Sequence, residues 1–329
     1  MKELLCEFGI VLGICFVLTA ILGRLIIPIL RAKKVGQHIL EIGPRWHHSK
    51  EGTPTMGGIC FILAILLTLL GVTVLYAVRG EQAELIPLAL TMGLGVMNGL
   101  VGFVDDFCKL MKKKNEGLKA YQKSSLQVIV ALLYIYLLSV LGYIDTSLHI
   151  PFTDISVELG VVYYIFALFV IVGMVNSVNL TDGIDGLASS VTLVVFVFFA
   201  FVGINSLNTS VTLISAVLIG AMLGFLIYNL NPARVFMGDT GSLFLGGVVT
   251  GTAFLIREPM LILIIGGVYA MESLSVILQV GSFKLRQKRI FKMAPIHHHF
   301  EKCGWKENKI VIVFSTITAL LCVLAWFGL

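Results

Sequence analysis

The chain has 329 residues, of which 57% are hydrophobic and 13% charged, and its mean hydropathy is +0.96. That is about half the charge of an ordinary soluble domain, which excludes a water-solvated globular fold and makes lipid the expected solvent. The net charge of +5 is informative only through where the charges sit, and no nucleic-acid partner is expected.

A membrane helix needs ~20 apolar residues. In chain order the sequence offers ten such stretches, at 4–27, 56–78, 85–104, 126–143, 159–178, 187–204, 211–230, 242–256, 260–280 and 309–329. The first is too long for a signal-peptide core and lacks an A-x-A cleavage site, so it reads as a retained helix. The eighth is short and Gly-rich, and the ninth contains Glu272. Six cysteines with no C-x-x-C pair indicate neither a disulfide framework nor a zinc site. The expected fold is all-α: one polytopic transmembrane domain over 1–329 with about ten spans and cytoplasmic loops near 31–55, 105–124, 179–187, 231–241 and 281–308.

Cytoplasmic loops carry the excess of Lys and Arg. All of these residues except Lys2, Arg24, Arg79 and Arg257 fall in one alternating set of loops or at its edge. Both termini are therefore expected on the outer, periplasmic or extracellular side.

The unusual polar clusters share those same positive loops: KEGTPTMGG at 50–58, VDD at 104–106, NSVNLTDGIDG at 176–186, FMGD at 236–239 and MAPIHHHFE at 293–301. Carboxylates at lipid depth are costly, so they normally face a protein interior or a wet cavity and serve function. Five aspartates at one membrane face, Asp105, Asp106, Asp182, Asp185 and Asp239, suggest a divalent-cation and phosphate site.

Asp105 and Asp106 close the third stretch. Adjacent acids on a helix point in different directions, so one can face a reactant while the other binds structure or metal. Asn98 lies seven residues before Asp105 and shares its face. Asn176, Asn179, Asp182 and Asp185 recur every three residues; their oxygens suit hard Mg²⁺ and can equally bind a ribose or uracil edge. Asp239 precedes Gly241 and Ser242 at the start of the eighth stretch, where a helix N-terminus offers N–H groups to an anion and Asp239 could hold the bridging metal. Phe236 beside it could stack on a base. Gly52 to Gly58 has the glycines of a phosphate loop without the G-K-[ST] ending, which excludes a P-loop nucleotide triphosphatase; Lys50 can still reach a phosphate as a point charge. His297, His298 and His299 cannot all face one ligand, but one or two could contact a diphosphate or shuttle a proton. Glu272 is expected to be paired or to face the catalytic groove.

Together these blocks resemble the polyprenyl-phosphate N-acetylhexosamine-1-phosphate transferase superfamily. GTPTMGG and MAPIHHHFE are similar to its phospho-N-acetylmuramoyl-pentapeptide transferase (translocase I, MraY) branch, and the resemblance covers essentially the whole chain. It implies a phosphotransferase of the bacterial inner membrane with its active site on the cytoplasmic face. UDP-N-acetylmuramoyl-pentapeptide and undecaprenyl phosphate would be its substrates, lipid I and UMP its products, Mg²⁺ its cofactor and a homodimer its assembly. Carried over by motif, Asp105 and Asp106 match the catalytic acid pair and Asp239 the Mg²⁺ ligand. Asn179, Asp182, Gly183 and Asp185 match the nucleoside and metal region, with Asp182 a second metal ligand, and Asn229 and Phe236 line the uridine pocket. Lys50, Thr55 and Lys123 match polar positions near the phosphates, and His297 to His299 match the signature histidines, with His297 catalytic. Asp105 is expected to deprotonate or orient the lipid phosphate, a covalent Asp105 phosphoryl intermediate being the alternative.

Two rival readings remain open. A sibling transferase using UDP-N-acetylglucosamine fits the same aspartates, whereas a transporter would place its polar groups near the midplane rather than at one face.

Overall fold

The computed structural model describes residues 1–33, 52–112 and 117–329. It is a helical bundle built from α1 (Lys2–Ala32), α2 (Gly58–Arg79), α3 (Ile86–Lys112), α4 (Ala120–Val140), α5 (Val161–Thr181), α6 (Leu187–Asn205), α7 (Thr209–Asn229), α8 (Gly238–Leu255), α9 (Ile262–Ile265), α10 (Gly267–Arg286), α11 (Ile296–Lys302) and α12 (Glu307–Trp326). Among the described residues eight helices are long and apolar enough to cross a membrane, or nine if the bent pair α9 and α10 is one span.

The ninth stretch is not one straight rod: it breaks before Gly267 and turns by 77°. The third stretch departs in the other direction. α3 continues through Lys112, so Asp105 and Asp106 sit well inside it, and the beginning of the expected 105–124 loop is helix. One small element is not helical, because β1 (Ser147–His149) and β2 (Ser156–Glu158) form an antiparallel hairpin with Leu148 opposite Val157. His149 Nδ1 lies 3.1 Å from Glu258 Oε2 and ties the hairpin to the chain just beyond α8.

α8 organises the bundle. It packs against α3 above all and also meets α2, α5, α6 and α7, and every residue from Gly238 to Phe254 except Asp239 is buried. A helix enclosed by protein needs no apolar face toward lipid; close backbone approach holds it instead. A Cβ at Gly102 would stand 2.1 Å from the Asp239 carbonyl oxygen, and one at Gly58 only 2.4 Å from the Gly241 Cα. Small residues on α2 and α3 thus let the first turn of α8 seat directly on their backbones.

The two ends of the bundle differ in chemistry. One end carries both termini and the hairpin: Arg79 pairs with Glu7, and Leu329 lies near Arg257 and Glu258. The other end gathers the C-terminal parts of α3 and α5 with the N-termini of α4 and α8, and there the aspartates meet.

This packing has a direct test. Gly102→Ala should lower the unfolding temperature in detergent, consistent with an overpacking cost of about 1–3 kcal/mol, because the atom it meets is backbone and cannot give way. Gly71→Ala, where the new Cβ meets nothing within 4 Å, should cause no such loss.

Candidate active site

Asp105 and Asp106 reach the site because α3 runs two turns past the expected helix end, carrying Lys109 with it. Lys109 Nζ lies 2.7 Å from Asp105 Oδ2, 3.7 Å from Asp106 Oδ1 and 2.9 Å from Asp239 Oδ2. A single ammonium therefore touches three carboxylates from two helices. Lys123, in the first turn of α4, supplies the second cation, 2.9 Å from Asp239 Oδ2 and 3.2 Å from Asn179 Oδ1. Asn179, near the end of α5, donates from Nδ2 to Asp239 Oδ1 at 2.9 Å and to Ser242 Oγ at 2.8 Å. Four elements thus converge on Asp239.

The two adjacent acids of α3 are used differently. Asp106 Oδ2 accepts from the Thr240 backbone N–H at 2.9 Å and from its hydroxyl at 2.8 Å, so an acid of α3 caps the first turn of α8, where a negative charge is favoured. Its other oxygen, Oδ1, is buried without a hydrogen-bond partner among the described residues. Asp105 Oδ1 accepts from the Leu118 backbone N–H at 2.7 Å, which fixes the chain leading into α4. Asp105, Asp106 and Asp239 each present an oxygen, and these three oxygens lie within 4.8 Å of one another. That donor set is all oxygen and two-thirds buried, which suits a hard divalent cation.

Asp182 is the C-cap residue of α5, beside the triad rather than part of it. Burial and the neighbouring Asp239, Asp106 and Asp185 carboxylates push its own carboxyl up to about 8.

The structure engages other expected site residues elsewhere. The Asp185 carboxylate accepts from Asn231 Nδ2 at 3.0 Å and from the Ala233 N–H at 2.9 Å, holding the loop between α7 and α8. Asn229 accepts from Ser189 at 2.8 Å and donates to the Val235 carbonyl at 3.0 Å. Asn176 is bonded to Gln127 and Asn98 to the Leu94 carbonyl. The three-residue stripe therefore divides: α5 ends at Thr181, leaving Asn179 aimed at Asp239 and Asp185 aimed at the next loop. Phe236 is half-buried; its backbone pairs with Pro54 and Gly57, which lays the Thr55 segment against the start of α8. Lys50 lies outside the described residues.

The three histidines occupy the short helix α11 and point three ways. His297 is fully buried against Glu272, with Nδ1 3.1 Å from Oε2. His298 pairs with Glu301, and His299 Nδ1 accepts from the Lys292 N–H at 3.1 Å. The sequence reading counted Lys109 only among the positive loop charges. Its i,i+4 and i,i+3 spacing from Asp105 and Asp106 was the available signal.

Comparison with known sequences adds an independent line. A model of glycosyl transferase family 4 matches residues 88–257, a span that holds Asp105, Asp106, Lys109, Lys123, Asn179, Asp182 and Asp239. Residues 50–62 match phospho-N-acetylmuramoyl-pentapeptide-transferase signature 1. The chain is 47% identical over 319 residues to the phospho-N-acetylmuramoyl-pentapeptide-transferase of Clostridium perfringens strain 13, covering 96% of each chain. It is 46% identical over 323 residues to that of Clostridium novyi strain NT, covering 96% of this chain and 95% of the relative. With that of Bacillus cytotoxicus the identity is 44% over 312 residues, covering 95% and 94%.

Lys109→Met should leave three acids, two of them buried, facing one remaining ammonium. Breaking such a contact costs about 3 kcal/mol, so the unfolding temperature should fall. Added Mg²⁺ or Mn²⁺ should then raise it more in the variant than in the wild type. Equal responses in thermal unfolding would count against the three acids as a cation-binding set.

Proposed function

The chain belongs to the phospho-N-acetylmuramoyl-pentapeptide-transferase family and is a phosphotransferase enzyme, and on that premise we propose what it transfers, to what, and with which groups. The donor is UDP-N-acetylmuramoyl-pentapeptide, the acceptor undecaprenyl phosphate, and the products are lipid I and UMP, formed at the cytoplasmic face of the bacterial inner membrane. The observation that carries this reading is the convergence of Asp105, Asp106 and Asp239 with Lys109 and Lys123 at the bundle end where the positive loops gather.

In this reading α8 counts as a span despite its low hydropathy, and α9 with α10 as another. Ten crossings place both termini outside and the five site aspartates inside. A homodimer belongs to the proposal on the family resemblance.

Both reactants are anions, so the site must lower their mutual repulsion before they meet. Asp105, Asp106 and Asp239 would hold Mg²⁺, with Asp106 Oδ1, which has no hydrogen-bond partner among the described residues, one available ligand oxygen. When bound there, the ion neutralises charge on the donor diphosphate and on the departing UMP. Lys109 and Lys123 steady the phosphates as mobile point charges. Asp105 orients the acceptor phosphate, one oxygen of which attacks the sugar-proximal phosphorus in line. The bond from that phosphorus to the bridging oxygen breaks, and the electron pair leaves with UMP. Asn179 and Asp182 would contact the nucleoside. The lipid tail stays in the bilayer and the nucleotide in water, so the reaction belongs at the boundary between them.

Purified protein should release UMP from the muramoyl-pentapeptide donor only when undecaprenyl phosphate and Mg²⁺ are both present. UDP-N-acetylglucosamine in its place should yield none, and turnover with it would favour the sibling transferase. Asp239→Asn should fold but lose about 100-fold or more in kcat. A labelled phospho-enzyme trapped without acceptor would replace direct attack by the covalent route. The exposed Cys303 and half-buried Cys108 should react with an impermeant thiol reagent from the cytoplasmic side alone.

A further inference from the structure

Glu272 is a carboxylic acid in the second turn of α10 and is fully buried, as is His297 against it. An acid at such depth is retained only where it is paired and useful. Glu272 Oε2 faces both the His297 backbone N–H, at 3.4 Å, and the ring Nδ1, at 3.1 Å. An ionised Glu272 accepts from both the main-chain N–H and the ring, and that arrangement would put the imidazole proton on Nδ1. That leaves Nε2 as the unprotonated nitrogen of the ring, and it is buried with no hydrogen-bond partner among the described residues.

Nε2 has a definite direction. It abuts Gly183, where an added Cβ would stand 2.1 Å from Nε2 and 2.4 Å from Cε1. The residue next to Gly183 is Asp182, which ends α5 about one turn beyond Asn179, the partner of Asp239. Three segments far apart in sequence therefore combine: α10 sets the tautomer, α11 carries the ring, and the turn between α5 and α6 leaves room for its free nitrogen.

We propose that Glu272 is a positioning residue that locks His297 in the Nδ1–H state and holds Nε2 against the Gly183 turn that borders the reaction site. This rests on the proposed phosphoryl transfer and on the catalytic role that the family resemblance implies for His297. Glu272 itself touches no reactant; it acts by fixing which ring nitrogen is bare and where it points.

The test uses the full-length protein in detergent, labelled with ¹⁵N-histidine, with the His297 signals assigned by their loss in His297→Asn. The wild type should show the proton on Nδ1. Glu272→Leu should move the His297 signals and cut kcat about 100-fold, with little change in KM for the donor. Glu272→Gln, whose amide oxygen can accept the same bond, should restore the wild-type pattern and bring kcat back to within about fivefold. Gly183→Ala pushes on the ring from the opposite side and should reproduce the Glu272→Leu signature, which keeps the test available should the leucine variant not fold. Unmoved His297 signals in Glu272→Leu or Gly183→Ala overturn the proposal, as does a Gln variant no better than the leucine one. Full activity in His297→Asn would instead refute the role given to the histidine, whatever the spectra of the Glu272 variants.

Discussion

Like charges held together in a low-dielectric setting repel strongly, and this protein brings Asp105, Asp106 and Asp239 within 3.7 Å of one ammonium. The arrangement is tenable because each acid has a second commitment. Asp106 caps α8, Asp105 holds the Leu118 amide, and Asp239 is gripped by Lys123 and Asn179. Removing any partner would expose the others to uncompensated charge. The site is thus also a structural joint, the place where α3, α4, α5 and α8 are fastened together.

That joint depends on how closely the helices approach. Glycines at 58, 102 and 241 let α2, α3 and α8 meet backbone to backbone, and without that proximity the short Asp side chains would not span the gap. Packing and chemistry are therefore set by the same residues: the small ones determine the distance and the acidic ones exploit it.

Much of this was legible in the sequence. The helices follow from apolar length, and the aspartates stand out because acids are rare among such residues. The alternation of Lys and Arg placed the acids on one face. Lys109 was hidden because it sits among lysines whose spacing is explained by topology alone. Asp185 and Asn229 read as ligand groups because a sequence shows a polar side chain but not its tertiary partner, and theirs are Asn231, Ala233, Ser189 and Val235. The break before Gly267 was obscured by an unbroken apolar run, and the hairpin strands are only three residues each. The pairing of Glu272 was anticipated, but its partner lay 25 residues away in α11.

The enclosure of α8 also bears on how the chain is made. In the ten-span reading this is the crossing least able to partition from the insertion machinery unaided, since its glycines, threonines and Asp239 give an isolated segment little preference for hydrocarbon. Its destination is a slot walled by α2, α3, α5, α6 and α7, all of which precede it in translation. The order of the helices along the chain therefore matches an order of assembly in which earlier segments prepare a protein-lined berth before the poorly greasy one emerges.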